Sequence, residues 1–115
     1  MKLGIIGSRE FCNQQFVIDK VTEYLEGSFC EVISGGARGV DTWAELTSKD
    51  LNVYTCIIKP EWDKFGKKAG IIRNKVIVER SDKLLVFWDG YSKGTKSTID
   101  FAVESKKPID IYIRN

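Results

Sequence analysis

The chain has 115 residues, enough for one core, and its 43% hydrophobic and 30% charged content fits a water-soluble globular domain. A net charge of +2 gives no support for a strong nucleic-acid field, and the absence of histidine removes the commonest general base and metal ligand. No apolar run nears the roughly 20 residues that span a membrane.

In chain order, residues 2–6 read as a strand buried on both faces. Residues 13–27 read as a helix, with Phe16, Val17, Val21, Tyr24 and Leu25 on one apolar face and Gly27 as its stop. A second strand over 31–34 runs into a glycine turn and a helix over 40–51. There Trp43 falls on the inward face, as core or interface. A third strand over 53–58 ends before Pro60, and 61–66 reads as irregular. A helix over 69–80 turns Ile72, Val76 and Ile77 inward. A fourth strand covers 83–88, and a helix over 96–105 buries Ile99, Ala102 and Val103. The last strand is 109–113. The chain opens straight into a strand, with no signal-peptide pattern. Cys12, Cys30 and Cys56 are odd in number and lack metal-type spacing, so they read as reduced thiols of a cytoplasmic protein.

Strands that alternate with helices predict right-handed crossovers and a parallel sheet covered on both faces. The expected architecture is a single α/β Rossmann-like doubly wound domain over 1–115. Its five-stranded parallel sheet takes the order 3-2-1-4-5, with helices on both faces. The winding reverses between strands 1 and 4, and ligands bind at the carboxyl ends of the strands there. Glycine turns follow strands 1, 2 and 4: Gly4-Ile5-Ile6-Gly7-Ser8-Arg9, Ser34-Gly35-Gly36-Ala37-Arg38-Gly39-Val40-Asp41 and Gly90-Tyr91-Ser92-Lys93-Gly94-Thr95-Lys96-Ser97. Glycines let the main chain lie against a ligand, and a following helix N-terminus favours an anion, most often phosphate.

The series Gly7-Ser8-Arg9-x-Phe11, Ser34-Gly35-Gly36-Ala37-Arg38-Gly39-Val40-Asp41, Trp62-x4-Lys67-x-Ala69-Gly70-x2-Arg73-Asn74 and Gly94-Thr95 resembles the YspA/cpYpsA-related family of the SLOG superfamily, over nearly the whole chain. The resemblance implies a Rossmann-like fold and a nucleotide-type ligand, since members are regarded as sensors or processors of nucleotide-derived ligands. The related LOG branch hydrolyses nucleoside monophosphates with a glutamate in Pro-Gly-Gly-x-Gly-Thr-x-x-Glu. Thr98 stands at that glutamate position, and Gly90-Tyr91-Ser92 replaces Pro-Gly-Gly, which argues against this hydrolysis. The competence-protein branch binds single-stranded DNA, with a more basic face in a larger protein.

Candidate ligand contacts follow. Ser8 and Arg9, after the Gly7 turn, could hold a phosphate, Arg9 in bidentate fashion. Ser34, Gly35, Gly36 and Gly39 would bring the backbone close, with Arg38 beside them. Asp41 could accept from a ribose, or simply stabilise the first helical turn. Trp62 could stack on a base while Lys67, Arg73 and Asn74 meet phosphate. Equally, this segment could cover the core edge or form an oligomer surface. Trp88 ends strand 4. Asp89 could serve as a base, although Asp-Gly reads first as a turn. Ser92, Gly94, Thr95 and Ser97 form a second phosphate cradle, and Thr95 could also cap the last helix.

The leading expectation is therefore a small cytoplasmic protein that binds a nucleotide or nucleotide derivative, of sensor or sequestering type. Its partner would be a phosphate-containing small molecule, and it would form a homo-oligomer, with no metal and no membrane. One alternative is a nucleotide N-glycoside hydrolase or transferase using Asp41 or Asp89. The other is a single-stranded nucleic-acid binder, possible on these residues but not favoured.

Overall fold

The computed structural model of the protein describes residues 1–27, 29 and 31–113. Cys30 lies outside the described residues. Strands β1 (Lys2–Gly7), β2 (Glu31–Ser34), β3 (Tyr54–Ile57), β4 (Lys83–Trp88) and β5 (Ile109–Ile113) form one sheet in the order β3-β2-β1-β4-β5. Every neighbouring pair is parallel. This is the expected doubly wound, Rossmann-like architecture.

Helices α1 (Gln14–Leu25) and α2 (Val40–Asp50) cover one face, and α4 (Ala69–Arg80) and α5 (Lys93–Glu104) the other. The strand period of two sorts the central side chains between two cores. Leu3, Ile5, Val32, Leu85 and Phe87 pack with Val17, Val21, Val40 and Ala44. Ile6, Ile33, Leu84 and Val86 pack with Ile77, Val78, Ile99 and Ala102. Burying the Val, Leu, Ile and Phe side chains among these stabilises by roughly 1.5–3 kcal/mol each. Phe11, Phe16, Phe87 and Tyr112 extend the first core in a tilted and edge-on ring cluster. Among the described residues, no helix is long and apolar enough to cross a membrane.

Three local expectations change. Residues 61–66, read as irregular, form a short helix α3 (Trp62–Phe65) and then a 3-10 turn, Gly66–Lys68, leading into α4. Nothing in α3 is buried, so it has no hydrophobic period to read. It is held by Lys64 and Phe65 N–H groups donating to the Glu61 carbonyl, at 3.1 and 3.0 Å. Helix α5 begins three residues before the expected position 96, because Ser92 caps it. Its Oγ accepts from Thr95 N at 3.4 Å, so Thr95 is not the cap. Val103, expected inward, is 59% exposed. The inward stripe of α5 instead runs through Thr95, Thr98, Ile99 and Ala102.

Candidate functional site

The carboxyl ends of β1, β2 and β4 open into a crevice of about 520 Å³. Ser8 and Arg9 follow β1, Ala37 and Asp41 come from the turn into α2, and Asp89 to Thr95 supply the start of α5. Lys67, Gly70, Arg73 and Asn74 form the wall on the α4 side. A second hollow of about 420 Å³ lies beside it, bounded by Gly35, Gly36, Lys59, Pro60 and Trp62. The two share Arg9, Ala37, Gly70 and Arg73. This edge is where a doubly wound sheet places its ligand.

Hydroxyl groups stitch the floor together. Buried Ser8 hydrogen-bonds through Oγ with Thr95 Oγ1 at 3.1 Å and accepts from Asp89 N at 3.2 Å. Thr95 Oγ1 donates to Ser92 Oγ at 3.2 Å. Asp89 Oδ1 accepts from the N–H groups of Tyr91 and Ser92, both at 2.8 Å. Burial would raise the Asp89 pKa, but the donors Ser92, Tyr91 and Ser8 outweigh it and hold the carboxyl below its ordinary value. Asp89 is therefore the turn-forming aspartate of Asp-Gly, and its carboxylate is engaged there.

Asp41 is 6% exposed and accepts from Ala37 N at 3.1 Å. Burial pushes its pKa up to about 6, against the opposing pull of the Ala37 N–H and the Arg73 charge. Arg73 donates through Nη1 to the carbonyls of Gly35 at 2.7 Å and Ile58 at 3.3 Å, and through Nε to Asn74 Oδ1 at 2.8 Å. Burial lowers the Arg73 pKa, Asp41 opposes that and Arg9 adds to it. Two arginines thus converge on one crevice, with Asp41 as the buried counter-charge of Arg73.

Of the residues proposed from sequence, Ser8, Arg9, Asp41, Lys67, Arg73, Asn74, Ser92, Gly94 and Thr95 line the main crevice. Gly35, Gly36 and Trp62 line the adjoining hollow. Gly7 also lines the crevice, but a Cβ there would lie 2.3 Å from the Val40 side chain, so packing alone demands glycine. Ser34, Arg38, Gly39 and Trp88 line neither. Ser34 is fully buried beneath the turn, and its Oγ acts on the Asp41 charge without a hydrogen bond of ordinary geometry. Gly39, at φ +83°, serves the turn into α2, and Arg38 beside it faces solvent. The Trp88 indole folds back to donate to the Ser92 carbonyl at 3.1 Å and packs on the second core. Ser97 lies outside both hollows, one turn into α5. Thr98, at the position of the LOG glutamate, is buried and donates to the Gly94 carbonyl at 2.9 Å.

Glu10, Lys59, Pro60 and Tyr91 also line these hollows and were not anticipated. Tyr91, in the third glycine turn, is 79% exposed at the crevice mouth. Its place in that turn is the signal that could have found it. Trp62 is 51% exposed, and Phe65 of the same short helix is also open to solvent. Residues 59–68 hold four lysines against Glu61 and Asp63, a surplus of two that equals the net charge of the whole chain.

Fold and site together define a Rossmann-like domain with a polar crevice of mixed charge at its switch point, Arg9, Lys67 and Arg73 standing beside Glu10, Asp41 and Asp89. The family model for DNA recombination-mediator protein A matches residues 1–61. The Gene 61 protein of Mycobacterium phage D29 is 32% identical over 113 residues, covering 91% of this chain and 90% of that one. The chain belongs to the DNA recombination-mediator protein A family, within the broader SLOG class. DNA processing protein A from Helicobacter pylori, whose single-stranded DNA binding mode is described as unique, superposes with a TM-score of 0.79 at 20% identity. That match covers 100% of this chain and 66% of that one. DNA processing protein A from Streptococcus pneumoniae gives 0.78 at 22% identity, over 96% and 49%. At these identities the likeness is one of fold, and this chain spans only half to two-thirds of their length.

These matches overturn the expected partner. A small-molecule sensor with nucleic acid disfavoured does not fit a chain whose family is that of a DNA recombination mediator. The misleading quantity was net charge, which averages over the surface and hides the lysine surplus at 59–68.

Proposed function

We propose that this chain binds single-stranded DNA across the carboxyl edge of its sheet, at the crevice and the adjoining hollow. The observation that carries this is the exposed aromatic and basic rim: Trp62 and Tyr91 beside Arg9, Lys59 and Lys67. Single strands are held by cations that follow the backbone and aromatic faces on which bases stack, at roughly 1–3 kcal/mol per base. Arg9, Lys67 and Arg73 are the phosphate contacts in this reading, and Trp62 and Tyr91 the stacking faces. The fold shared with the Helicobacter pylori protein supports it.

A duplex holds its bases inside the stack, so the rim favours unpaired strands. An NMR titration with a short oligo-dT tests this. Shifts are expected at Arg9, Lys67, Arg73 and the Trp62 indole. Shifts confined to the α1–α2 face, or none at millimolar oligonucleotide, would contradict it.

A further inference from the structure

A one-way chain of hydrogen bonds runs behind the crevice. Arg73 Nε donates to Asn74 Oδ1 at 2.8 Å, Asn74 Nδ2 donates to Thr98 Oγ1 at 2.9 Å, and Thr98 Oγ1 donates to the Gly94 carbonyl at 2.9 Å. Each link supplies a proton in the same sense, so the bonds polarise and reinforce one another. The order also settles the amide orientation, because the arginine can only donate.

The first link joins adjacent residues of one helix. Neighbours at i and i+1 project about 100° apart and do not ordinarily face each other. Both side chains must swing toward one another, and the tether from Asn74 to α5 holds them there. On its other side, Arg73 Nη1 is fixed by the carbonyls of Gly35 and Ile58. Nε and Nη1 are thus both engaged, and among the described residues Nη2 has no hydrogen-bond partner.

We propose that Asn74 is a positioning residue: held by Thr98, it fixes the Arg73 guanidinium so that Nη2 is presented to a backbone phosphate of the bound strand. The strand as ligand rests on the function proposed above, whereas the fixing of Arg73 does not. The arrangement also ties Arg73 to the first turn of α5, so the two sides of the crevice hold a set spacing. A guanidinium with two of its nitrogens already ordered loses less freedom on binding phosphate than a lysine would.

The test combines Asn74→Ala, Arg73→Ala and the double variant, each titrated with fluorescein-labelled oligo-dT at several salt concentrations. Asn74→Ala is expected to weaken binding about tenfold. It should also flatten the salt slope by about 0.7, the value for one lost phosphate contact on a single strand. In the Arg73→Ala background it should add nothing. An equal loss in both backgrounds would show a merely structural role and overturn the proposal. The Arg73 Nε–H resonance is read in parallel, without DNA. It should be resolved and slow to exchange in the parent protein, and lost in Asn74→Ala. If the parent fails to bind oligo-dT, the function reading falls, and the resonance alone decides the positioning: unchanged in Asn74→Ala, it overturns the proposal. Should Asn74→Ala not fold, Thr98→Val removes the tether together with the Thr98 bond to the Gly94 carbonyl while leaving Asn74 in place, and both readouts should move in the same direction by a smaller amount. No change in either would overturn the proposal.

Discussion

Arg73 and Gly35 are fitted to each other. The guanidinium donates to the Gly35 carbonyl at 2.7 Å, and a Cβ added to Gly35 would lie 2.3 Å from that same Nη1. Glycine stands after β2 because an arginine from α4 lies across it. Gly35→Ala should therefore displace Arg73 and lower oligo-dT affinity about as far as Arg73→Ala does, on the order of tenfold. Anisotropy titrations of both variants check this, with urea denaturation alongside. A Gly35→Ala protein that binds like the parent would show that Arg73 is not a contact.

Acidification should tighten oligo-dT binding. Asp41 has a folded pKa of about 6, above its ordinary 3.8, so between these values the folded state binds more protons than the unfolded one. Its contribution to stability is therefore present in full below about pH 4 and is lost as pH rises through about 6. The two-unit shift corresponds to roughly 3 kcal/mol as an order of magnitude. Protonation also removes the negative charge beside Arg73. Affinity should rise several-fold from pH 7.5 to 5.5 in the parent and stay flat in Asp41→Asn. Asp41→Asn should also be the more stable protein at pH 7.5, by thermal melting.

Trp62→Ala and Tyr91→Ala should each weaken oligo-dT binding, by the roughly 1–3 kcal/mol of one stacked base, with the salt slope unchanged. Both side chains are exposed, so stability should move by less than about 0.5 kcal/mol. Arg9→Ala and Lys67→Ala should instead flatten the slope. Measuring the slope alongside affinity separates stacking from phosphate contact.

Asp89→Ala should act on stability. Its Oδ1 holds two backbone N–H groups of the turn into α5, and losing an engaged carboxylate there costs about 1–3 kcal/mol. The Asp89 pKa is depressed in the folded state, so this contribution is present above its ordinary value and lost as pH falls through the lowered one. Denaturation of parent and variant should show the difference between them full at pH 7 and narrowing progressively as pH falls below the ordinary carboxylate value.

Much of the frame was legible from local signals. Alternating strands and helices implied the sheet order, and the glycine turns marked the edge where Ser8, Arg9 and Thr95 meet. What sequence hid depends on side chains crossing between elements. Nothing in the letters says that Trp88 turns back onto Ser92, or that the Asn74 amide joins Arg73 to Thr98. Helix α3 was missed because it buries nothing, and the same exposure makes Trp62 available as a stacking face. The partner class was misjudged because a net charge of +2 was read as if spread evenly over the surface.

The most direct measurement is binding of fluorescein-labelled oligo-dT against salt concentration, beside a duplex of equal length and a mononucleotide competitor. We expect the single strand to bind more tightly than the duplex. Its log affinity should fall against log salt with a slope near −2, for about three phosphate contacts. The mononucleotide should compete only weakly. Equal affinity for duplex and single strand, or full displacement by stoichiometric mononucleotide, would contradict the account.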